Sequence, residues 1–585
     1  MKIIFFARKP LKTPLTAKTG IGMKFFEDEK KYRMLLLIAL FLVFLTLRLF
    51  VREEFLLLSG DYMKFIETAD NFPNHTLYNN QLYVLHPPLY PYVIYFMKLI
   101  TGSYVYGSIL VSLVTAAALF WILYFFLMYL SNNFVLSYFT LVFFTLSNNM
   151  INAGYSPLRE SLVMALLIGA IFSYLIGIRE KKRRHLVYAA ILGGISALTS
   201  DHGIFLIPAF AITYLIFNKE KPLLFKFKFP NLGWAIMPAL VVLIFFGMWL
   251  GIKAHAYSSN PYYPYYPIGA SAVPIDVSNY NLFNLIQPQS FPTWDSSLPK
   301  AVFEGPIQSL KRYASQLGYM FNMEPFSLPR GLNLTTREYL LKPYHVAYIF
   351  LIYLPLFLIA VFGFFTLLKN ALSEKKIHQN LSLYIFLLFL LFIFPILSRF
   401  TGPRYYYTAY LFFFYFIAYG IVSLSNYFSD QKTKKIMLSF GFLLLLVILF
   451  WMFNNTFLFN VHIEPMGPNT ADYINKNIPK DKAIMLQPGY IAVLNHLVDN
   501  RILGLHAFSE DLDSTADHFN IDYFIFSRYF TKDAHHFSQE AAEYIQTHPE
   551  KYRLVATINE DYTDFFVQGD KARTDEVYIY ERINR

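Results

Sequence analysis

The sequence predicts a polytopic α-helical membrane protein with eleven spanning helices and a small C-terminal α/β domain. Apolar runs of about 20 residues recur along the chain, and each is long enough to cross a bilayer as a helix. Of the 585 residues, 55% are hydrophobic and only 15% are charged. From residue 456 onward the charge reverses, with 12 Lys and Arg against 20 Asp and Glu, whereas the rest carries 38 against 19. A basic membrane part and an acidic tail therefore predict two compartments.

The spans follow from the apolar runs, with one ambiguous segment. The candidate spans are 34–51, 105–130, 134–150, 159–178, 186–200, 203–218, 231–251, 344–368, 381–397, 404–425 and 436–455. Segment 87–101 is apolar but only 15 residues long, opens with Pro87 and Pro88, and contains Pro91 and Lys98. This is short for a span and typical of an interfacial helix lying among the lipid headgroups.

The distribution of basic residues decides the topology. With 87–101 interfacial, loops 1–31, 179–185, 219–230, 369–380 and 430–435 share one side and carry 23 Lys and Arg. The short loops on the opposite side carry 5. If 87–101 crossed the membrane instead, the later basic loops would lie outside, against the positive-inside rule. The sequence therefore predicts a cytoplasmic N-terminus, a C-terminus outside the cell (inner) membrane, and membrane lipids as surroundings.

This topology predicts three regions. Residues 1–31 are basic and form a cytoplasmic tail, with no secretory signal peptide ahead of the first span. Residues 32–455 form the transmembrane domain, with a first external loop at 52–104 and a long external loop at 252–343. Residues 456–585 form the external α/β domain, with a helix at 470–479 and strands at 483–487, 523–527, 552–558 and 577–581. The absence of cysteine excludes disulfides and thiolate metal sites, and the basic surplus requires no nucleic-acid partner.

Ionisable residues near the span ends cluster on the external side. They are Asp61, Arg159, Glu160, Asp201, His202, Arg399 and Arg404. A solvated loop charge is the simplest interpretation of any one of them. Their common side favours a site, because the short external loops otherwise hold almost no charge and ionisable groups at a membrane boundary tend to be functional.

Five sequence elements in order carry a resemblance to a known superfamily. They are Gly60-Asp61-Tyr62, His86-Pro87-Pro88-Leu89-Tyr90, Tyr155-Ser156-Pro157-Leu158-Arg159-Glu160-Ser161, Gly193-Gly194-Ile195-Ser196-Ala197-Leu198-Thr199 and Gly402-Pro403-Arg404-Tyr405-Tyr406. With the eleven-span topology and external tail, the series resembles the glycosyltransferase C superfamily. The branch it resembles holds the protein O-mannosyltransferases and the aminoarabinose transferases of lipid A. The resemblance covers roughly residues 34–425.

The resemblance implies transfer of a sugar from a polyprenyl-phosphate donor to an acceptor hydroxyl on a lipid, glycan or protein. The first-loop acid of such enzymes is the proposed general base, and this role passes to Asp61. An inverting displacement needs such a carboxylate to take the acceptor proton. Arg404 is the candidate for the leaving phosphate, since a guanidinium binds two phosphate oxygens at once. Further substrate-binding candidates are Arg159, Glu160, His86, His202, Tyr62 and Tyr405, although Arg159 and Glu160 are equally compatible with a structural ion pair.

The sequence departs from the superfamily pattern at one position. Many relatives have a lysine directly after the Leu-Thr of the fifth span, whereas this chain has Ser200, followed by Asp201 and His202. His202 or another basic group would have to replace that lysine. His86, Asp201, His202 and His255 are weak candidates for holding a divalent cation, as in some superfamily members, but their spacing matches no recognised metal motif. No cofactor is therefore assigned.

Rival functions come from two classes. A transporter is expected to show internal repeats and polar groups at mid-bilayer depth, and this sequence has neither. An oligosaccharyltransferase or polysaccharide ligase would move a whole glycan rather than one sugar, and the tail of about 130 residues argues mildly against the former. An inactive relative is disfavoured by the retention of Asp61.

Overall fold

The computed structural model describes most of the helical part and most of the tail. The described residues are 30–49, 65, 69, 87–155, 159–218, 229–259, 354–373, 380–393, 407–427, 468–486, 498, 500–504, 512–527, 536–563 and 572–583. The helices before the tail are α1 (Lys30–Leu49), α2 (Leu89–Thr101), α3 (Tyr104–Ser131), α4 (Phe134–Leu146), α5 (Asn148–Tyr155), α6 (Glu160–Glu180), α7 (Arg183–Thr199), α8 (Leu206–Phe217), α9 (Phe229–Ser259), α10 (Leu354–Ser373), α11 (Leu381–Ile393) and α12 (Tyr407–Tyr427). A 3₁₀ turn, Asp201–Phe205, precedes α8.

Six helices in the described part are long and apolar enough to cross a membrane: α1, α3, α6, α9, α10 and α12. The predicted run 436–455 lies outside the described residues, so the count of eleven spans stays a prediction. The predicted span 134–150 is wrong in one respect, because α4 ends at Leu146 and a second helix, α5, follows. Ser147 is extended and its hydroxyl accepts from the backbone N–H of Met150 at 3.5 Å, so it caps the start of α5.

Contacts between helix termini define two ends of the bundle. One, here called the basic end, comprises Arg33, Arg179 and residues 181–184. Arg33 Cζ lies 5.5 Å from the centre of the Phe134 ring, and Arg179 Cζ lies 5.0 Å from that of Tyr129. Helix α6 rises about 30 Å over its length, which matches the hydrocarbon thickness of a bilayer. Its two ends are therefore far enough apart to lie on opposite sides of a membrane.

The opposite end, here called the rim, comprises Arg48, Tyr104, residues 159–160 and residues 199–202. Helix α2 lies along this rim. Near its start, the ring of Tyr90 meets that of Phe65 edge-on at 5.0 Å. Near its end, Lys98 Nζ lies 3.9 Å from the centre of the Tyr104 ring. Both ends of α2 thus contact rim residues, and its length of about 20 Å is too short to span. The helix predicted at 87–101 is confirmed, and its contacts support the interfacial placement.

Glycines allow close helix crossings in the bundle. A Cβ on Gly193 would lie 2.7 Å from Val242 Cγ2, and one on Gly194 would lie 2.8 Å from Phe245 Cδ2, so the glycine pair brings α7 against α9. Between α10 and α12, a Cβ on Gly363 would lie 2.8 Å from the backbone N of Gly420. Small residues at such crossings let helix backbones approach and pack in a membrane.

The tail forms an α/β unit. Its elements are α13 (Pro468–Asn477), β1 (Ala483–Leu486), β2 (Arg501–Gly504), α14 (Leu512–Phe519), β3 (Ile521–Ser527), α15 (His536–Thr547), β4 (Tyr552–Thr563) and β5 (Ala572–Arg582). The five strands form one sheet in the order β2-β1-β3-β5-β4. β1 runs parallel to β2 and β3, whereas β5 runs antiparallel to β3 and β4. The predicted helix and four strands are found, while β2, α14 and α15 were not predicted.

The tail core contacts the rim. Ile474, Ile484 and Ile525 are buried in one cluster between α13 and the sheet, and Tyr104 at the start of α3 packs against that cluster. Tyr104 also packs against the cluster formed by Phe65 and α2. The sheet therefore lies at the rim end of the bundle rather than at the basic end. Its placement outside the cell stays a prediction.

Candidate active site

Arg159 joins three parts of the rim. It directly precedes α6, and its Nη1 donates to the carbonyl oxygen of Thr199 at 3.2 Å, at the end of α7. Its Cζ lies 5.5 Å from the centre of the Phe65 ring, which belongs to the first loop. A guanidinium over an aromatic face is attracted by the electron-rich ring. Arg159 thus holds the first loop against the ends of two bundle helices.

Glu160 opens α6 at the same point. Its side chain is partly buried, and its Oε2 is shielded from solvent. A carboxylate in the first turn of a helix is stabilised by the partial positive charge of the exposed backbone N–H groups. Next to it, Ser161 Oγ donates to the carbonyl oxygen of Ala153, which ties α6 to α5. Glu160 is therefore presented at the rim by a well-anchored helix start.

The turn after α7 brings two more ionisable residues to the rim. Ser200 is extended and ends α7, and its hydroxyl accepts from the backbone N–H of His202 at 3.3 Å. Asp201 Oδ1 is buried, and no residue of the described part donates to it. The His202 ring lies 6.0 Å from that of Phe205. The turn is tight because Gly203 leaves room, since a Cβ there would lie 2.6 Å from Ala197 Cα.

Four of the predicted site residues are thus placed together at one rim: Arg159, Glu160, Asp201 and His202. Asp61, Tyr62, His86, Arg404 and Tyr405 lie outside the described residues, as does the side chain of His255 within α9. Of the four residues proposed to hold a cation, only Asp201 and His202 therefore have described side chains. Within the described ranges, no three His, Asp or Glu side chains are grouped closely enough to hold a metal ion.

The structure also shows rim residues that the sequence did not single out. Phe65 and Thr199 contact Arg159 through a ring face and a backbone carbonyl. Arg48 is buried one residue before the end of α1 and contacts α5. The sequence feature that could have drawn attention to Arg48 is its position as a lone arginine in an otherwise apolar run. A backbone carbonyl such as that of Thr199 leaves no signal in a sequence.

Comparison with known proteins agrees with this architecture. Residues 85–249 match the family model described as dolichyl-phosphate-mannose-protein mannosyltransferase. The archaeal oligosaccharyltransferase AglB from Archaeoglobus fulgidus, in complex with an inhibitory peptide and a dolichol-phosphate, is similar in structure with a TM-score of 0.50 at 13% identity. The alignment covers 85% of this chain and 69% of AglB. Over residues 85–249 the chain is thus similar to a mannosyltransferase family of the glycosyltransferase C superfamily.

Two further solved structures were found to be similar to the chain. The Archaeoglobus fulgidus oligosaccharyltransferase tethered to an acceptor peptide aligns at a TM-score of 0.52 and 11% identity, over 92% of this chain and 74% of that one. ArnT from Cupriavidus metallidurans bound to undecaprenyl phosphate aligns at a TM-score of 0.43 and 12% identity, over 94% and 98% of the two chains. Among curated protein sequences, none matches the chain.

The superfamily resemblance predicted from the sequence is confirmed. The matched region, 85–249, contains the His86–Tyr90, Tyr155–Ser161 and Gly193–Thr199 elements, whereas Gly60-Asp61-Tyr62 and the Arg404 element lie outside it. The chain is therefore an integral membrane protein that is similar over 85–249 to a glycosyltransferase family, with four of the predicted site residues at one rim of its bundle.

Proposed function

We propose that this protein is a glycosyltransferase of the C superfamily, which transfers a sugar from a polyprenyl-phosphate donor to an acceptor hydroxyl at the rim. The observation that carries the proposal is the junction at Arg159. It brings together the first loop, Glu160 at the start of α6, and the turn with Asp201 and His202. All these described groups lie at one end of a membrane bundle, where a lipid-borne donor and a water-borne acceptor can meet.

Asp61 is the proposed general base. It precedes Phe65 by four residues, so covalent geometry keeps their Cα atoms within about 14 Å of each other. Phe65 itself lies under Arg159 at the rim. In the proposed inverting step, the acceptor oxygen bonds to C1 of the sugar and gives its proton to the Asp61 carboxylate. The bond from C1 to the phosphate oxygen breaks, and the polyprenyl phosphate leaves as an anion.

The leaving phosphate needs cationic partners. Arg404 is the proposed main contact, because its planar fork can bind two phosphate oxygens. Arg159 uses Nη1 for Thr199 and stacks on Phe65, so it is proposed to support the site and to offer its remaining N–H groups to the donor. His202 is the proposed replacement for the lysine that many relatives carry after the fifth span. Glu160, His86, Tyr62 and Tyr405 complete the proposed substrate contacts.

The donor class is supported by two findings. The family description that matches 85–249 names a dolichyl-phosphate-linked sugar, and AglB was solved with a dolichol-phosphate. Both are polyprenyl-type phosphates. The proposed orientation places the basic end in the cytoplasm and the rim, with the tail, outside. This follows from the positive-inside rule applied to the 23 basic residues of the predicted cytoplasmic loops.

A second candidate function is transfer of a whole lipid-linked glycan. It is favoured by one observation, that the two similar folds with TM-scores of 0.50 and 0.52 are oligosaccharyltransferases. The identities of 13% and 11% show a shared fold only. The single-sugar reaction is preferred because the sequence match is to a mannosyltransferase family.

A transfer assay with purified full-length protein tests the proposal. The donors are a panel of polyprenyl-phosphate monosaccharides and a lipid-pyrophosphate oligosaccharide, with detergent extract as the acceptor source. Release of polyprenyl phosphate with one monosaccharide donor is expected. Turnover of the oligosaccharide donor alone would favour the second candidate. Failure of every donor to react would contradict both candidates, provided that a cooperative thermal unfolding transition shows the protein to be folded.

A further inference from the structure

Arg48 is a charged group inside the helix bundle. It belongs to α1, and only 2% of its surface is exposed. Ionisable residues within membrane helices are costly to bury and usually have a specific task. Among the described residues, no carboxylate lies within ion-pair distance of it. Its task must therefore be found in the groups that it does contact.

The contacts of Arg48 lead to the short helix α5. Nη1 donates to the carbonyl oxygen of Phe44 in its own helix at 3.1 Å. Nη2 donates across to the carbonyl oxygen of Met150 in α5 at 2.8 Å. The guanidinium carbon lies 3.5 Å from the centre of the Phe44 ring and 5.7 Å from that of Phe144. The planar fork is thus held over the face of Phe44 and by two carbonyls, an arrangement that lysine cannot reproduce.

Gly154 makes this arrangement possible from the side of α5. A Cβ at that position would lie 2.7 Å from Arg48 Cδ and closer still to Nε. Any larger residue would therefore displace the arginine or push α5 away from α1. The absence of a side chain at Gly154 leaves the space that the long side chain of Arg48 fills, so the two residues are complementary in shape.

Helix α5 in turn supports the rim. It ends at Tyr155, and the Arg159–Glu160 pair begins four residues later. Ser161 Oγ donates to the carbonyl oxygen of Ala153, which fixes the start of α6 against the end of α5. A path of direct contacts therefore runs from Arg48 through Met150 and Gly154 to the start of α6.

We propose that Arg48 is a positioning residue, which holds α5 so that Arg159 and Glu160 are presented at the rim. The guanidinium positions α5 through its hydrogen bond to a backbone carbonyl and through its close packing against Gly154. Its burial keeps it from touching the substrate. The inference rests on the proposed function only in treating the rim as the active site. The geometric claim, that Arg48 sets the position of the α6 start, is independent of any reaction.

The test uses the full-length chain, which contains no cysteine. A reporter cysteine is introduced by Glu160→Cys, and its rate of reaction with a maleimide is measured with Arg48 and with Arg48→Met. A second reporter, Asp472→Cys on the exposed side of α13, monitors the tail. We expect Arg48→Met to change the rate at position 160 by about tenfold, the factor for losing one charged hydrogen bond. The rate at position 472 should not change.

Gly154→Ala and Arg48→Lys are the matched variants. Gly154→Ala should shift the rate at position 160 as Arg48→Met does, because its methyl group displaces the guanidinium. Added to Arg48→Met, it should cause little further shift, because the guanidinium whose hydrogen bonds the methyl group would break is already absent. Arg48→Lys should give an intermediate rate, and it replaces Arg48→Met if that variant does not fold.

Equal rates at position 160 in all variants, or full additivity of Arg48→Met and Gly154→Ala, would overturn the proposal. So would an equal change at positions 160 and 472, which would indicate general unfolding. The reaction with maleimide requires no sugar transfer. If no donor reacted in the transfer assay but the maleimide rate at position 160 changed, the proposed function would be rejected and the role of Arg48 would stand.

Discussion

The guanidinium of Arg159 donates to the carbonyl oxygen of Thr199 at 3.2 Å, which locks the start of α6 to the end of α7. The other ends of these two helices meet at residues 179–184, where Lys182 pairs with Glu180 at 2.7 Å. One helix pair thus carries the candidate site at one end and the basic cluster at the other. Because α6 is as long as the hydrocarbon layer is thick, we expect these two groups to face opposite compartments.

The first prediction concerns this orientation. Single cysteines introduced by Arg184→Cys and Asp472→Cys should react from opposite sides of the membrane. In intact cells, a membrane-impermeant maleimide should label position 472 and leave position 184 unlabelled until the cells are permeabilised. The cysteine-free parent is the control for background labelling. Labelling of both positions from the same side would contradict the proposed topology.

The second prediction concerns the crossing of α10 and α12. A Cβ on Gly420 would lie 2.9 Å from Ile359 Cγ2 and closer still to the Ile359 carbonyl oxygen. Gly420→Ala should therefore separate the helices and destabilise the protein by about 1–3 kcal/mol, as overpacking does. Thermal unfolding in detergent should show a lower Tm. The matched control is Gly247→Ala in α9, where a Cβ would meet no atom within 4 Å and the Tm should not fall.

The third prediction concerns the tail at low pH. Asp513 in α14 accepts hydrogen bonds from Lys551 Nζ at 2.6 Å, from Tyr544 at 2.8 Å and from Tyr552. Partial burial raises the pKa of Asp513, but these bonds outweigh it and lower the pKa from 3.8 to about 2. Since the folded pKa lies below the unfolded one, Asp513 stabilises the tail fully above pH 4. That contribution is lost as the pH falls through about 2.

Susceptibility of the tail to pepsin in the full-length chain measures this effect. The parent should become more susceptible between about pH 4 and pH 2, whereas Asp513→Asn should be susceptible already at pH 4 and change less. The control is Asp472→Asn, which removes an exposed ion pair with Lys476 that contributes little. Identical pH profiles for the parent and Asp513→Asn would exclude Asp513 as the group responsible.

Most bundle helices were predictable because a bilayer needs about 20 apolar residues per span, and such runs are visible in any sequence. The break at Ser147 was not, because its hydroxyl caps a new helix within an apolar run. In the tail, β2 (Arg501–Gly504) was missed because only its two central residues are apolar, whereas the equally short β1 (Ala483–Leu486) is apolar throughout. Helices α14 and α15 were not predicted either, and neither length nor polarity separates α15 from α13, which was.

The candidate site was only partly predictable for a different reason. Arg159, Glu160, Asp201 and His202 could be grouped because charges are rare in the external loops, and the structure places all four at the rim. The partners of Arg159 are a backbone carbonyl and a ring face, neither of which can be recognised from a residue type. The contacts that link Arg48 to this region join residues far apart in the sequence, so the spacing of residues could not predict them.

The fourth prediction concerns the donor phosphate. Arg404→Ala should raise the donor KM and lower kcat, because it removes the proposed cation that neutralises the leaving phosphate. Arg404→Lys should restore activity only in part, since an ammonium cannot bind two phosphate oxygens in a planar fork. The measurement is steady-state kinetics with the donor identified in the panel assay, and Arg399→Ala is the neighbouring control. Unchanged kcat and KM in Arg404→Ala would remove Arg404 from the site.

The fifth prediction concerns the general base. Asp61→Asn should abolish sugar transfer while leaving the Tm and donor binding nearly unchanged, because asparagine has the same shape and still forms hydrogen bonds. It cannot accept the acceptor proton, so assistance worth roughly 10²–10⁴-fold in rate should be lost. Asp70→Asn, in the same first loop, is the matched control and should retain activity. If Asp61→Asn turned over at nearly the parent rate, the base would lie elsewhere, and Glu160 at the start of α6 would be the next residue to test.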